Sequence, residues 1–262
     1  MAEKAEKEDG IVELIKTVVY ALLIAGVFRT LFFQPFWIPS GSMKDTLLVG
    51  DFVFVNKMAY GYSRYSCPFA ICPIPGRLFG SEPERGDIVV FRHPTQNTDF
   101  IKRLVGLPGD RVQMKNGFLY LNGEQVPVQP AGIFAETFEP QGPQSKLPAC
   151  ENGAVGVGAE CTKTRFLEQL PGGVTHSILN IRDSQSTDNT EVFTVPEGNY
   201  FFMGDNRDNS TDSRVPQARR GVGFVEDEYL IGRADRVMFS SAGRSMLFFW
   251  TWRGDRFFKK LQ

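Results

Sequence analysis

The most constraining feature of the sequence is an apolar stretch close to its N-terminus, IVELIKTVVYALLIAGVFRTLFF, at residues 11–33. A helix of this length, at about 1.5 Å per residue, would be roughly 34 Å long, which is enough to cross a bilayer. Its charges lie near the two ends, where long cationic side chains reach the lipid headgroups, at Glu13, Lys16 and Arg29. We expect a charged tail at 1–10 and a transmembrane anchor at 11–34.

Two alternatives concern this stretch. QPFWIPSGS follows it instead of a small-x-small cleavage site, so a retained anchor is favoured over a cleaved signal sequence. Lys4, Lys7 and Lys16 precede the apolar core and Arg29 follows it, which favours an N-terminus on the cytoplasmic side.

The remainder of the 262 residues shows the pattern of strands and turns. LVGDFVFVNK and GDIVVFRH alternate like half-buried strands, and EVFTVPEGNYFFMGDN and ADRVMFSS read as later strands. VQMKNGFLYLNGEQVPV contains two Asn-Gly dipeptides, which favour hairpin turns and predict a three-strand meander. Residues 129–175, rich in Gly and Pro, are interpreted as an irregular insertion. A short helix after Ser42 is the only helix expected beyond residue 40.

The predicted fold class is therefore mainly β: an N-terminal transmembrane helix followed by an antiparallel β-sheet ectodomain with an inserted smaller β lobe. The β core is predicted at 35–112 and 194–262, and the inserted lobe at 113–193. The aromatic run at 247–252 is interpreted either as a segment resting on the membrane interface or as a strand packed in or against the sheet.

Composition excludes several function classes. The net charge of −1 lacks the excess of positive charge expected of a nucleic-acid-binding protein. The chain has two histidines, His93 and His176, so HExxH zinc chemistry is excluded, and we expect neither a metal nor a cofactor. The four cysteines form two near pairs, Cys67 with Cys72 and Cys150 with Cys161, which are either local disulfides or free thiols.

Three polar clusters could carry chemistry. In Ser40-Gly41-Ser42, one hydroxyl could act as a nucleophile and the other as an oxyanion donor, although an ordinary turn has the same composition. In DFIKRLVGLPGDRV, Lys102 alternates with apolar residues, and burial on such a face would lower its pKa and make it a base, unless that face is solvated. The third cluster, GDNRDNSTDSR, is either a surface loop with weak ion pairs or a buried scaffold.

These clusters, in this order, resemble those of bacterial type I signal peptidases, also called leader peptidases. The resemblance covers the anchor, QPFWIPSGSM, VGDFVFVNK, RGDIVVF, FIKRLVGLPGD and GDNRDNSTDSR, and it is weak over roughly 113–193. It implies a membrane-anchored serine endopeptidase that removes signal peptides from exported preproteins through an acyl-enzyme. It also implies substrates with Ala-x-Ala-type cleavage sites, a location in the bacterial inner membrane, and a catalytic domain on the periplasmic side.

The resemblance assigns roles to individual residues. Ser42 aligns with the nucleophile, Lys102 with the general base, and Ser40 with the side-chain oxyanion donor. The residues that align with the support of this dyad are Ser210, Asp212, Arg214, Asp205 and Arg103. The residues that align with apolar walls of the substrate subsites are Phe36, Ile38, Leu47, Val90, Phe100 and Ile101. The spacing of Cys150 and Cys161 resembles that of a local disulfide in the second domain of some members.

One departure from the family pattern concerns Asp45, which stands where SMxPTL has proline. A carboxylate facing Lys102 would favour the charged amine and weaken the base, so we expect Asp45 to point to solvent. Two other functions remain as alternatives. One is a catalytically silent, membrane-anchored envelope scaffold, and the other is a self-cleaving Ser/Lys protease of the stress-response repressor type.

Overall fold

The anchor is a single long helix. The computed structural model describes residues 2–142, 144–153, 155–243 and 246–261, and helix α1 covers Ala2–Leu31. Within it, Gly10–Leu31 has a mean hydropathy of 2.1, is long enough to cross a membrane, and has none of its length buried against the rest of the chain. The helix begins inside the predicted tail and ends at Leu31, because Phe33 and Gln34 already belong to the first strand.

The largest sheet has seven antiparallel strands in the order β1-β2-β14-β3-β4-β12-β13. Its strands are β1 (Phe33–Trp37), β2 (Asp51–Asn56), β3 (Ile88–Arg92), β4 (Asp99–Gly106), β12 (Asn199–Met203), β13 (Val225–Glu226) and β14 (Leu230–Ser240). Phe36 of β1 and Ile101 of β4, four strands apart in this order, pack against the same hydrophobic cluster. The sheet is therefore curled, and the predicted mainly β fold is confirmed.

The inserted segment contains two smaller sheets. The first has the order β11-β5-β6-β7 and consists of β5 (Arg111–Lys115), β6 (Phe118–Leu121), β7 (Glu124–Gln125) and β11 (Phe193–Thr194). The Asn-Gly pairs at 116–117 and 122–123 have positive φ at both residues, so the predicted meander is present. Val112 pairs with Phe193, so the first and last strands of the inserted segment are neighbours where they join the core.

The second sheet corrects the expectation of an irregular segment at 129–175. It has the order β10-β9-β8, with β8 (Val128–Thr137), β9 (Glu160–Gln169) and β10 (Thr175–Asn180). Strand β8 has no buried residue, and its pairing shifts register between Pro130 and Ile133. Without burial there is no apolar alternation, which explains why periodicity did not identify this strand. Disulfides join Cys67 to Cys72 and Cys150 to Cys161.

The C-terminal aromatic run is not a strand. Phe249–Thr251 form a 3₁₀ turn, and the side chains of Leu247 and Trp250 are 84% and 69% exposed. Trp252 packs edge-on against the sheet, on Phe239, with ring centroids 4.7 Å apart. The alternative of a core strand is therefore wrong.

A buried carboxylate joins the C-terminal segment to the sheet and to the loop after β1. Asp51, fully buried, accepts from Arg256 Nε at 2.9 Å and Nη2 at 2.5 Å, and from Ser240 Oγ at 2.7 Å. Arg256 Nη2 also donates to Thr46 O at 3.0 Å. The Asp51–Arg256 pair thus links β2, β14, the C-terminal segment and the loop that contains Thr46.

Replacing Arg256 with Met should lower the free energy of unfolding by about 3 kcal/mol, because buried Asp51 loses both hydrogen bonds from its nearest cation and retains only the more distant Arg253, with Nη1 at 3.9 Å. Thermal unfolding of the detergent-solubilised full chain measures the change. Exposed Arg111→Met is the control, with an expected change within about 0.5 kcal/mol. Equal unfolding temperatures for the two variants would contradict this account of the pair.

Candidate active site

The loop that carries Ser42 is held by its own buried apolar residues. Met43 and Leu47 are fully buried, and Leu47 N donates to Met43 O at 2.8 Å. This turn takes the place of the short helix expected after Ser42. Ser42 is left at the rim of a cleft, with 7% of its surface exposed.

Ser42 and Lys102, which are 60 residues apart in sequence, meet in this cleft. Lys102 Nζ donates to Ser42 Oγ at 2.7 Å and to Ile101 O at 3.0 Å, and Lys102 is 4% exposed. Burial lowers the pKa of Lys102 to about 8, although the nearby carboxylates of Asp212 and Asp205 act in the opposite direction. The amine is therefore neutral in about one molecule in ten at pH 7, compared with fewer than about one in a thousand for an exposed lysine, and the neutral form can accept a proton.

Ser40 lies beside this pair. Its Oγ is 3.5 Å from Ser42 Oγ. Among the described residues, the backbone N–H of Ser42 has no acceptor. A side-chain hydroxyl and a backbone N–H are thus both available next to the same oxygen, which is the pair of donors that an oxyanion requires.

The first supporting ion pair is Arg103 with Asp205, both at most 1% exposed. Arg103 Nε and Nη2 each donate to one carboxylate oxygen of Asp205 at 2.8 Å, and Thr46 Oγ1 donates to the same carboxylate at 2.5 Å. Burial alone would raise the pKa of Asp205, but Arg103 outweighs it and the pKa is lowered. The pair joins β4 to the loop after β12 and to the loop of Ser42.

The second pair is Asp212 with Arg214. Arg214 Nε and Nη2 each donate to one oxygen of Asp212 at 2.9 Å, and Gly204 N donates to that carboxylate at 3.0 Å. Burial acts to raise the pKa of Asp212, but the charge and hydrogen bonds of Arg214 outweigh it, and the pKa is lowered. Ser210 Oγ is buried and makes no hydrogen bond to Lys102.

Asp45 faces away from the Ser42–Lys102 pair. Its carboxylate is 3.5 Å from Arg165 Nη1 of β9, and its side chain is 27% exposed. It is thus partly solvated, and it makes no contribution to the lowered pKa of Lys102. The departure from the family pattern therefore does not weaken this amine.

Histidine takes no part in the contact with Ser42. His176 is buried, with Nε2 3.5 Å from Glu168 and 3.8 Å from Asp205. Burial lowers its pKa to about 4, so it is neutral at physiological pH. The sequence placed His176 outside the three clusters, whereas the fold packs it behind Asp205.

The cleft has a volume of about 360 Å³ and is lined on one side by Ser40, Ser42, Phe100 and Lys102. Of the six predicted subsite residues, Phe100 lines this cleft, while Phe36 and Ile101 are partly buried beside the core. Ile38, Leu47 and Val90 are at most 1% exposed and belong to the hydrophobic core. The inserted segment also lines the cleft, with Gln141, Lys146, Leu147 and Pro148.

Sequence reasoning missed two residues that hold the Ser42 loop. Asn206 N donates to Ser42 O at 3.0 Å, and Asn206 Nδ2 donates to Gly41 O at 3.0 Å. Lys44 reaches into the inserted segment and donates to Glu136. Asn206 lies in the third polar cluster, so the sequence offered a signal for it. No local pattern pairs Lys44 with a residue 92 positions away.

Comparison with known proteins places this geometry in a family. Residues 11–239 match the model described as signal peptidase, peptidase S26. The chain is 40% identical over 232 residues to the signal peptidase I of Rickettsia typhi, strain ATCC VR-144 / Wilmington, covering 85% of this chain and 78% of the relative. The signal peptidase I of Rickettsia bellii, strain OSU 85-389, is 39% identical over 235 residues, with 86% and 72% covered.

Among solved structures, a signal peptidase I from Enterococcus faecalis V583 is similar, at 26% identity and a TM-score of 0.31. It covers 58% of this chain and 97% of its own length.

The match defines the class as a membrane peptidase with one apolar helix and a β domain. The chain belongs to the signal peptidase family, peptidase S26. The prediction of a membrane-anchored signal peptidase, an enzyme that acts on preproteins, is confirmed, and the silent scaffold is excluded.

Proposed function

We propose that Ser42 is the nucleophile and Lys102 the general base of the signal peptidase reaction. The observation that carries this proposal is the 2.7 Å hydrogen bond between a buried amine and a hydroxyl at the rim of the cleft. Burial lowers the pKa of a lysine, so a fraction of its amine is neutral and can act as a base at a pH where an exposed lysine is fully protonated.

The reaction proceeds in two halves. Neutral Lys102 takes the Ser42 proton as Oγ attacks the scissile carbonyl, and Ser40 Oγ and the Ser42 N–H stabilise the oxyanion. Protonated Lys102 then gives its proton to the leaving amine, which departs as the new N-terminus and leaves an acyl-enzyme on Ser42. In the second half, neutral Lys102 takes a proton from water as the water oxygen attacks the ester. The bond between the acyl carbon and Ser42 Oγ then breaks, protonated Lys102 returns the proton to Oγ, and the signal peptide leaves with a free carboxyl group.

The supporting residues set the charge around Lys102. Asp205 and Asp212 each form a two-pronged pair with an arginine, Arg103 and Arg214 respectively, so neither carboxylate is available to bind Lys102 as an ion pair. Ser210 packs against Gly204, which also lies next to Ser42 O. A side chain at Gly204 would collide with both, at 2.3 Å from Ser210 Oγ and 2.6 Å from Ser42 O.

The substrate binds as an extended strand between residues 34–40 and 98–102. Two features support this placement: β1 is an edge strand, and β12 pairs with β4 only from Arg103 onward. Asp99–Lys102 therefore have no partner from β12, and we assign this edge of β4 to the substrate strand. Phe100 lines the cleft, and Phe36 and Ile101 are partly buried against the core that contains Ile38, Leu47 and Val90. We assign these residues to the subsites that accept small side chains of the Ala-x-Ala type.

The anchor places this site next to the membrane, with the N-terminus in the cytoplasm and the β domain on the periplasmic side. The distribution of Lys4, Lys7 and Lys16 against Arg29 supports that orientation. The exposed aromatic side chains of 247–252 rest in the lipid interface, where amphipathic rings are favoured. Holding enzyme and preprotein on one surface raises their effective concentration.

Ser42→Ala should lower kcat by about 10⁴-fold or more, and Lys102→Met by about 10²–10⁴-fold, because the nucleophile and its base act as a unit. Cleavage of a preprotein in detergent measures the loss. Ser81→Ala and Lys115→Met, both on exposed residues, should keep wild-type rates. A serine-reactive acylating inhibitor should add mass to the peptide that contains Ser42, and retained processing by Ser42→Ala would exclude the assigned nucleophile.

The pH dependence follows from the lowered pKa of Lys102, about 8. The neutral form is the active base, so kcat/KM should rise about tenfold per pH unit well below that value and level off above it. Initial rates between about pH 6 and 10 provide the measurement. A profile that is flat across this range would show that Lys102 does not titrate in the rate-determining step.

The membrane placement of the aromatic run predicts fluorescence quenching by brominated lipids. A variant that retains Trp250 as its only tryptophan should be quenched in such vesicles, because the indole lies among the acyl chains near the headgroups. A control with Trp37, Trp250 and Trp252 replaced by Phe and a tryptophan introduced by Leu167→Trp, an exposed position of β9, should not be quenched. Equal quenching of the two proteins would rule out specific insertion of residues 247–252 into the lipid interface.

A further inference from the structure

A buried lysine ties the loop of Ser42 to the inserted segment. Lys44, 3% exposed, donates to Glu136 Oε2 at 2.5 Å and to Gln141 Oε1 at 2.8 Å. Glu136 lies on β8, and Gln141 is in the loop that follows it. The side chain two residues after Ser42 therefore ends inside a different sheet from the one that carries Lys102.

Glu136 is itself held by a second buried lysine. Lys163 of β9, fully buried, donates to Glu136 Oε1, and Gln141 Nε2 donates to Glu136 Oε2 at 2.6 Å. One carboxylate thus accepts from two ammonium groups and an amide, which fixes its position. Two lysines against one glutamate leave a net positive charge in this cluster.

The stem of Lys44 also contacts the backbone next to Ser42. A Cβ atom at Gly41 would lie 3.2 Å from Lys44 Cε, so the stem packs against Gly41 itself. Lys44 N donates to Gly41 O at 3.2 Å, and the same carbonyl accepts from Asn206 Nδ2. Displacement of the Lys44 ammonium would therefore be transmitted to the residue between Ser40 and Ser42.

We propose that Lys44 is a positioning residue, whose attachment to Glu136 holds the Ser42 hydroxyl in line with Lys102. The inserted lobe is then a working part of the active site and not an independent appendage. This inference rests on the proposed role of Ser42 as nucleophile. It assigns to Glu136 and Gln141 a function through Lys44, without contact with the substrate's reacting atoms.

The chain offers a matched pair of variants for the test. Lys44→Met and Lys163→Met each remove one buried ammonium group from Glu136, each leave one lysine to one glutamate, and each nearly conserve side-chain volume. They differ in that Lys44 alone belongs to the Ser42 loop. We expect Lys44→Met to lower kcat by about 10- to 100-fold with KM within about threefold, because the nucleophile is misplaced.

Lys163→Met should keep kcat within about twofold of wild type, and both variants should unfold within about 2 °C of wild type, since each improves the local charge balance. Equal kcat for Lys44→Met and Lys163→Met would overturn the proposal. So would a fall in kcat for Lys44→Met that appears only together with a lower unfolding temperature, since that would assign Lys44 to stability.

A second readout separates this proposal from the assignment of Ser42. The rate at which a serine-reactive inhibitor acylates the protein should fall in Lys44→Met by the same factor as kcat and remain unchanged in Lys163→Met. If acylation occurs at another residue in every protein, the nucleophile assignment fails. If Ser42 is acylated at equal rates in the two variants, the positioning role fails while the nucleophile assignment stands.

Discussion

The chemistry that we propose for this protein depends on keeping one amine out of water. Lys102 lies on a strand whose neighbours are apolar, and it is 4% exposed with Ser42 Oγ as its side-chain partner. Loss of hydration disfavours the ammonium form, which is why its pKa falls to about 8. A serine hydroxyl is a weak nucleophile, and in the proposed mechanism the neutral amine next to it supplies the base that histidine supplies in other serine proteases.

That condition limits the charges nearby. Asp205 and Asp212 both act to keep Lys102 protonated, and either one unpaired would do so strongly at this depth. Arg103 and Arg214 engage them with two hydrogen bonds each. The arginines therefore do more than stabilise the loop after β12, because they leave the amine with a hydroxyl and a carbonyl as its partners.

The loop of Ser42 is held from several directions because it has little structure of its own. Asn206 binds two of its carbonyls, Thr46 binds Asp205, and Arg256 binds Thr46 O from the C-terminal segment. Lys44 extends into the inserted sheet. Ser42, the proposed nucleophile, is consequently positioned by residues from three other stretches of the chain, and one of these stretches belongs to the inserted segment.

Much of this protein could be read from the sequence alone. The apolar helix, the mainly β character, the Asn-Gly meander and the family follow from local patterns, because hydropathy, alternation and turn residues act over a few positions. Only the tertiary structure decided that Lys44 pairs with Glu136 and that His176 lies behind Asp205. It also decided that strand β8 has no buried residue, and that Ile38, Leu47 and Val90 are buried in the core. Each of these depends on contacts between residues distant in the chain, and whether a lysine is solvated, paired or desolvated is set by those contacts and not by its neighbours in sequence.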